Sequence, residues 1–282
     1  NYETCVENIT YYIETQLDAG REIGRDFFAI DIAQGDNFDY CQCKNCQKVF
    51  KEEGGNAGAV LRFANRLSEE MSETYPGLSY QFFAYSGTNE PPKVTKANEY
   101  ISVTFCTDLN CSNHPLDGSE CGDGQLSYNK KNNKDYASWL EGWCDICDNV
   151  YVWYYALDKA FLQYTVLDTV YPDFMYLASL GVDGVFWQCQ NFGQGVSKIQ
   201  YELAEQIMWN PSMTADEYNA YYEKFMENEY GDAWHLIDEY IGLWLESSDK
   251  LGCWHCWSGG HTQDEKRFDE VFYADHFDYF VE

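Results

Sequence analysis

Positive charge is the scarcest feature of this 282-residue sequence, in which 18 Lys and Arg stand against 47 Asp and Glu for a net charge of −29. Such a surface repels polyanions, so neither nucleic acid nor an anionic membrane is an expected partner. The sequence has no run of 18 or more apolar residues, and we therefore expect no membrane span. It also has no starting Met and no signal-peptide pattern, which indicates a mature or trimmed segment of a longer protein.

Several catalytic motifs are missing as well. No G-x-S-x-G elbow occurs, so a Ser–His–Asp triad has no support. The pair Gly193 and Gly195 lacks the rest of a dinucleotide-binding fingerprint. The C-x-x-C pairs do not lie between a strand and a helix, which argues against a thioredoxin-like redox role.

Twelve cysteines are present, and their spacing is informative. Cys41, Cys43 and Cys46 form C-x-C-x-x-C, a plausible start for a structural zinc site that still needs a fourth ligand. A neighbouring loop could supply that ligand from Cys106, which completes the predicted set, or from Cys111 or His114. Disulfides are the competing interpretation if the protein is secreted, because connectivity cannot be deduced from spacing. Catalysis itself is expected to need no cofactor.

Short β-type runs alternate with helical patterns from residue 27 onward, with strands predicted at 27–33, 79–85, 101–106, 150–156 and 184–189. Helices are predicted at 57–74, near 136–144 and at 173–180, with a long loop between the first strand and the first of them. This alternation predicts an α/β fold with a parallel sheet, a TIM-type (β/α)8 barrel that is partial in this chain. Five strands do not close such a barrel, so either three βα units precede Asn1 or the sheet is open.

The period becomes helical throughout from about residue 199, and Thr214 with Glu217 forms a capping-box pattern. Residues 199–282 contain 19 acidic and 4 basic residues. A solvated outer face explains this charge better than an acidic binding surface does. We therefore predict a barrel portion with cysteine-containing loops at 1–198 and an acidic helical region at 199–282 packing on it.

The predicted strand ends, where parallel barrels place their working groups, are rich in carboxylates, amides and aromatic rings and poor in cations. That mixture suits a neutral polyhydroxylated ligand, because rings stack on sugar C–H faces while carboxylates and amides bond hydroxyls. The catalytic candidates are Asp36, Asn37, Tyr85 and Asp158. The substrate-binding candidates are Asp31, His114, Trp153, Tyr155, Trp187 and Gln188.

Each of these candidates also has a structural interpretation. Trp153 and Trp187 could be ordinary core residues. Asp31 lies in an apolar strand, so it is either buried and paired or catalytic. His114 suits a zinc ligand or a loop hydrogen bond better than a general base, and Asn37 could simply build an Asx turn after Asp36.

The order of several short motifs resembles glycoside hydrolase family 163, the endo-β-N-acetylglucosaminidases first described as a domain of unknown function. The motifs lie at Ala33–Cys46, Phe83–Lys93, Cys111–Leu116, Val152–Tyr155, Gly181–Phe186 and Met208–Pro211. The resemblance runs from about Phe27 to Ile241. It implies a catalytic (β/α)8-type barrel, a secreted or cell-surface location and a role in N-glycan breakdown. It also implies that the pocket includes Asp36, Asn37, Tyr85, His114 and Trp153.

Two positions depart from that family. Its members commonly have Asp where this chain has Tyr154, and Glu where it has Trp187. Glycoside hydrolysis uses a pair of carboxyl groups, or one acid plus the acetamido group of the substrate. The leading hypothesis is a glycoside-hydrolase-like protein acting on N-acetylglucosamine-containing glycans, with Asp36 as acid or orienting group and Trp153 and Trp187 as the sugar-stacking surface. The alternatives are a non-catalytic glycan-binding barrel and a structural domain with a vestigial pocket, stabilised by zinc or disulfides.

Overall fold

A computed structural model describes residues 2–25, 28–32, 34–108, 110–122, 131–156, 166–189, 195–250 and 252–253. Its five strands form one sheet in chain order. They are β1 (Ala29–Asp31), β2 (Ser79–Ala84), β3 (Ile101–Cys106), β4 (Val150–Ala156) and β5 (Gly184–Cys189). β1 pairs with β2, and β2 with β3, in parallel register. The predicted α/β fold is confirmed, with a parallel sheet flanked by helices as in part of a βα barrel.

The described helices are α1 (Tyr2–Ile23), α2 (Lys44–Glu53), α3 (Ala57–Ser72), α4 (Asn133–Cys144), α5 (Leu167–Ser179), α6 (Gly195–Trp209), α7 (Ala215–Tyr230) and α8 (Trp234–Asp249). α2 lies where a long loop was expected, so that expectation was wrong. The Cys43 thiol caps the first turn of α2, and Gly54 ends the helix in a left-handed conformation with φ 85°. The capping box of Thr214 and Glu217 is confirmed at the start of α7.

The chain divides into two compact units. Unit 1 comprises Asn1–Cys106 and Trp139–Val152, and unit 2 comprises Thr107–Ser138 and Trp153–Glu282. The boundary predicted at residue 198 is not tested by this division and stays a prediction. Among the helices that the structure describes, none combines the length and the apolar character that a membrane crossing requires.

Alternate residues of β2 are buried in the core of unit 1. Tyr80 and Phe82 are fully buried, and the Phe82 ring packs 5.4 Å from that of Trp143 on α4. The Trp143 indole N–H donates to the Asn89 carbonyl oxygen at 2.7 Å. The buried Asn89 side chain in turn donates to the carbonyl oxygens of Ala84 and Cys106, each at 3.1 Å. One amide thereby joins the carboxyl ends of β2 and β3 and satisfies groups that would otherwise be buried without partners.

The last residue of α2 in unit 1, Glu53, has a buried carboxylate. Glu53 is fully buried and accepts hydrogen bonds from the Arg62 guanidinium at 2.6 Å and from the Thr95 hydroxyl at 2.6 Å. Burial raises the pKa of this carboxyl, but the hydrogen bonds from Thr95, Arg62 and Val94 outweigh burial and hold the pKa below its usual value. Gly58 permits the approach, since a Cβ there would lie 2.3 Å from the Glu53 side chain.

Helices supply most of the core of unit 2. α5 contributes Val170, Phe174 and Leu177, and α6 contributes Ile199, Leu203 and Ile207, all buried. The 3–4 spacing of these apolar residues is that of helices with one buried face. α7 is mostly exposed apart from Tyr218 and Met226, which agrees with its acidic composition, whereas α8 buries Ile241, Trp244, Ser247 and Ser248.

Candidate functional site

Two of the catalytic candidates, Asp36 and Tyr85, are in contact in unit 1, while their catalytic roles stay predictions. Asp36 is an exposed residue of the loop after β1, and Tyr85 follows β2 directly. The Tyr85 hydroxyl donates to the Asp36 carboxylate at 3.0 Å. Neighbouring parallel strands bring their carboxyl ends to one edge of the sheet, and for this reason two residues 49 positions apart come into contact.

The other two candidates near β1 have different surroundings. The Asn37 side-chain oxygen accepts from the backbone N–H of Asp39 at 2.9 Å, which is the Asx turn foreseen as its structural role. Asp31 ends β1 and is exposed, so of its two alternatives the buried one was wrong and the catalytic one stays a prediction. β1 is only three residues long and lies at the edge of the sheet, where its last side chain reaches solvent.

In unit 2, the middle and later residues of β4 and β5 present an aromatic group on one face. The Trp153 ring packs 6.1 Å from Tyr155 and 4.4 Å from Phe186, and its indole N–H donates to the Gln188 side-chain oxygen at 2.5 Å. Phe186 is 55% exposed, so part of this surface is open to solvent. Three predicted substrate-binding residues, Trp153, Tyr155 and Gln188, are thus brought together.

Trp187 lies on the opposite face of β5, so its pairing with Trp153 as one sugar-stacking surface was a wrong prediction. Its ring stacks on Tyr154 with centroids 5.0 Å apart and packs 5.9 Å from Phe174 of α5. Side chains alternate across a strand, so adjacent positions cannot share a face. Tyr154 and Trp187, the two positions at which acids were expected by resemblance, therefore both face α5.

The Tyr154 hydroxyl has an acidic partner that sequence reasoning did not identify. It donates to Asp173 of α5 at 2.5 Å, and the backbone N–H of Leu116 donates to the same carboxylate at 2.6 Å. Burial raises the pKa of Asp173 to about 7, with the hydrogen bond from Tyr154 acting in the opposite direction. Asp158, the remaining catalytic candidate, lies outside the described residues.

The predicted cysteine knuckle exists in unit 1. The sulfurs of Cys41, Cys43 and Cys46 lie within 4.8 Å of one another and could hold a metal ion. Cys41 and Cys43 are exposed. Hydrogen bonding, first from the Cys46 backbone, lowers the pKa of Cys43 to about 7, while the shared bond with Cys43 raises that of Cys46 to about 11. Cys106 is not a member of this group, because its thiol is buried on β3, 3.9 Å from the Thr104 carbonyl oxygen.

A second group, in unit 2, has four ligands and could also hold a metal ion. Its atoms are the sulfurs of Cys111, Cys121 and Cys253 and the Nδ1 of His114, all within 4.8 Å of one another. Cys111 and His114 were expected as possible fourth ligands of the Cys41–Cys46 group, and that placement was wrong, because both lie in this separate group. The spacing C-x2-H-x6-C at Cys111–Cys121 was one usable signal and the C-x-x-C pair of Cys253 with Cys256 was another, but neither indicated that the two segments meet.

The thiols of this second group are mostly buried, and they polarise one another. Cys111 and Cys121 are 1% and 3% exposed. Hydrogen bonding with Cys111 lowers the pKa of Cys121 to about 4, and hydrogen bonding with Cys121 raises that of His114 to about 9. The same kind of bond with Cys111 lowers the pKa of Cys253 to about 7. Two of the three thiols are thus shifted towards thiolate, the form in which cysteine binds metals, whereas hydrogen bonding with Cys121 and Cys253 raises the pKa of Cys111.

Two asparagines hold the backbone around these ligands. The fully buried Asn133 accepts from the Cys111 N–H at 2.7 Å and donates to the carbonyl oxygens of Cys111, His114 and Pro115 at 3.1, 2.7 and 2.9 Å. Asn113 donates to the carbonyl oxygens of Ser248 and Gly252, each at 3.2 Å, and accepts from the Ser248 hydroxyl at 2.7 Å.

A glycine completes the loop between His114 and Cys121. Gly118 has φ 75°, and a Cβ there would lie 2.7 Å from the backbone of Lys134. Only glycine combines that conformation with so close an approach.

Comparison with known proteins gives one assignment. No curated protein and no solved structure matches the chain. Residues 2–242 match the model of a domain of unknown function, DUF4838. That match spans all five strands and most of the described helices. The chain therefore belongs to the DUF4838 family.

Proposed function

We propose that this protein is a glycoside-hydrolase-like (β/α)8-type barrel that acts on N-acetylglucosamine-containing glycans, as its resemblance to glycoside hydrolase family 163 implies. The observation that carries the proposal is the hydrogen bond from Tyr85 to Asp36, at the carboxyl ends of two neighbouring parallel strands. Active sites of βα barrels are built at this edge. A substrate of this class places the protein outside the cell or on its surface.

One carboxylate is enough for this chemistry when the sugar carries an acetamido group. Asp36 would give a proton to the leaving glycosidic oxygen while the acetamido oxygen attacks the anomeric carbon. Water would then open the cyclic intermediate and return a proton to Asp36. Tyr85 would act as a positioning residue, because its hydroxyl holds one carboxylate oxygen and so fixes the orientation of the other.

The proposal is tested by incubating the protein with an N-glycoprotein and measuring released glycans by mass spectrometry. We expect Asp36→Asn to lower the rate by about 10²–10⁴-fold, the usual contribution of a general acid. Tyr85→Phe should lower it by about 10-fold or more, since a hydrogen bond to a charged group is lost. Asp39→Asn, an exposed acid of the same loop, is the matched control and should leave the rate unchanged. Absence of release by the wild type, or a wild-type rate for Asp36→Asn, would reject the enzymatic function.

A non-catalytic glycan-binding barrel is the second candidate, and the aromatic group of unit 2 favours it. Trp153, Tyr155 and Phe186 lie on one face with Gln188 beside them, which gives rings for sugar stacking and an amide for hydroxyls. On a glycan array, Trp153→Ala should lose retained ligands, whereas Trp209→Ala, which removes an 89% exposed ring from the end of α6, should keep them. If the wild type retains no glycan and releases none, a structural domain with a vestigial pocket is the remaining function.

A further inference from the structure

The structure holds three cysteines and one histidine of unit 2 around a common centre. The Nδ1 of His114 lies 3.3 Å from the Cys111 sulfur, 3.7 Å from that of Cys121 and 3.5 Å from that of Cys253. A tetrahedral zinc ion has Zn–S bonds of about 2.3 Å and Zn–N bonds of about 2.0–2.1 Å, which separates N from S by about 3.5 Å. All three distances fit that separation.

A disulfide does not explain this arrangement. A disulfide joins two sulfurs at about 2.05 Å and leaves a third thiol and the imidazole without a role. Here three sulfurs are nearly equidistant from one ring nitrogen, and none of the three cysteines is in a disulfide. Four ligand atoms that lie this close to one another are expected around a single central ion.

The ligand types select the metal. Thiolates and imidazole are ligands of zinc, whereas calcium and magnesium prefer oxygen. A set of three cysteines and one histidine is a closed four-ligand set, which leaves no position for water or substrate. Such a site is structural rather than catalytic.

Hydrogen bonds from two asparagine side chains support the backbone around the four ligands. Asn133 makes four hydrogen bonds to the backbone of the loop that carries Cys111 and His114. Asn113 donates to the carbonyl oxygens of Ser248, in the last turn of α8, and of Gly252, the neighbour of Cys253. Outer-shell contacts of this kind orient ligands and are part of metal affinity.

We propose that Cys111, His114, Cys121 and Cys253 bind one structural zinc ion, which fastens the segment after α8 to the loop after β3. His114 and Cys253 are 139 positions apart, so the ion closes a very long loop within unit 2. The site is independent of the proposed glycan chemistry and of the knuckle at Cys41–Cys46.

Metal analysis of the full chain, purified without chelator, tests the proposal. We expect about one zinc per chain in the wild type, as a closed four-ligand site binds one ion. Cys121→Ser should reduce zinc to a trace, and the matched control Cys43→Ser should keep it. The proposal is overturned by a wild type without zinc, by iron in its place, or by zinc that is lost from Cys43→Ser and retained in Cys121→Ser.

A second measurement decides the matter if Cys121→Ser does not fold. Metal-stripped wild type is refilled with Co²⁺ alone and then with zinc. Tetrahedral thiolate coordination should give intense visible absorption that zinc abolishes, and His114→Cys should retain the metal while shifting that spectrum towards four-thiolate coordination. Weak, octahedral-type absorption, or a spectrum that His114→Cys leaves unchanged, would overturn the proposal.

Discussion

The two cysteine groups contain ligand atoms at the same close spacing, yet they differ in everything that surrounds those atoms. In unit 1, Cys41, Cys43 and Cys46 lie on a loop and the first turn of α2, largely exposed. In unit 2, three cysteines and His114 are half-buried or buried, and Asn133 and Asn113 hold their backbone. We expect the number of ligands and the support of their backbone, rather than the clustering of thiols alone, to decide which group binds a metal.

The buried carboxylates of the two units differ in a parallel way. Glu53 of unit 1 is surrounded by donors, including a guanidinium, and its pKa lies below the usual value despite burial. Within the part of the chain that the structure describes, Asp173 of unit 2 accepts hydrogen bonds from a tyrosine hydroxyl and a backbone N–H but from no cation, and burial raises its pKa to about 7. Whether a buried acid stays ionised therefore depends on the presence of a cationic partner.

The largest expected effect separates the two cysteine groups by stability. Removing zinc, or replacing Cys121 in Cys121→Ser, should lower the free energy of unfolding by on the order of 5–10 kcal/mol, because metal binding is coupled to folding. Cys43→Ser should change it by less than about 0.5 kcal/mol, as at other exposed positions. Urea denaturation followed by tryptophan fluorescence measures both. Equal effects of the two substitutions would end the distinction between the groups.

The next largest effect should come from Asn133, which holds the backbone around Cys111 and His114. Asn133→Ala leaves one N–H and three carbonyl oxygens near Cys111 without their partner, and we expect a loss of about 4 kcal/mol, since each bond contributes about 1 kcal/mol. Competition with a chelator should also show zinc affinity lowered by about 10–100-fold. Asn37→Ala removes an exposed Asx turn in unit 1 and should cost below about 1 kcal/mol. Unchanged stability of Asn133→Ala would contradict the positioning role.

The buried acids should give the two units opposite pH dependences. The raised pKa of Asp173 means that the folded state holds its proton more tightly, so its contribution is complete below about pH 4 and is lost as the pH rises through about 7. The free energy of unfolding should fall across this range by on the order of 4 kcal/mol, and Asp173→Asn should remove that dependence. The lowered pKa of Glu53 acts in the other direction, because its contribution is present above about pH 4.3 and is lost on acidification. A wild-type pH profile that Asp173→Asn leaves unaltered would contradict the first assignment.

The smallest expected effect is a difference in how readily an alkylating reagent reaches the cysteines of the two groups. Brief alkylation of the native protein should modify the exposed Cys41 and Cys43 and spare the buried Cys111 and Cys121, as peptide mass spectrometry would show. After chelation, Cys111 and Cys121 should become modified as well. Alkylation of Cys111 in the zinc-loaded protein at the rate of Cys43 would contradict the burial of the second group.

Local sequence patterns predicted the sheet well because each strand is a short apolar run with clear ends. The predicted and observed bounds agree at 101–106, 150–156 and 184–189, and β2 ends only one residue earlier than expected. Helix α2 was missed because its sequence is polar and its cap is a cysteine rather than Ser, Thr, Asp or Asn. α5 begins at Leu167, six residues before the expected start, since the pattern around Pro172 obscured its first turns.

The candidate site was predicted in part for the same reason. Asp36 and Tyr85 were found because both lie at strand ends, and topology alone brings these together. Side chains alternate between the two faces of β5, and this alternation decides where Trp187 lies. The prediction of one surface with Trp153 ignored it. Cys253 forms a C-x-x-C pair with Cys256 in the sequence, but nothing local shows that it contacts His114, 139 positions away.

The position of Cys253 has a practical consequence for anyone who trims the protein. The family match ends at residue 242, in the middle of α8, and a fragment cut there would retain Cys111, His114 and Cys121 but lose Ser248 and Cys253. Such a fragment would have the boundaries of the recognised domain and yet lack one ligand of its proposed metal centre. We expect it to be recovered poorly and to expose its remaining thiols to oxidation, whereas a fragment ending beyond Cys253 should avoid both problems.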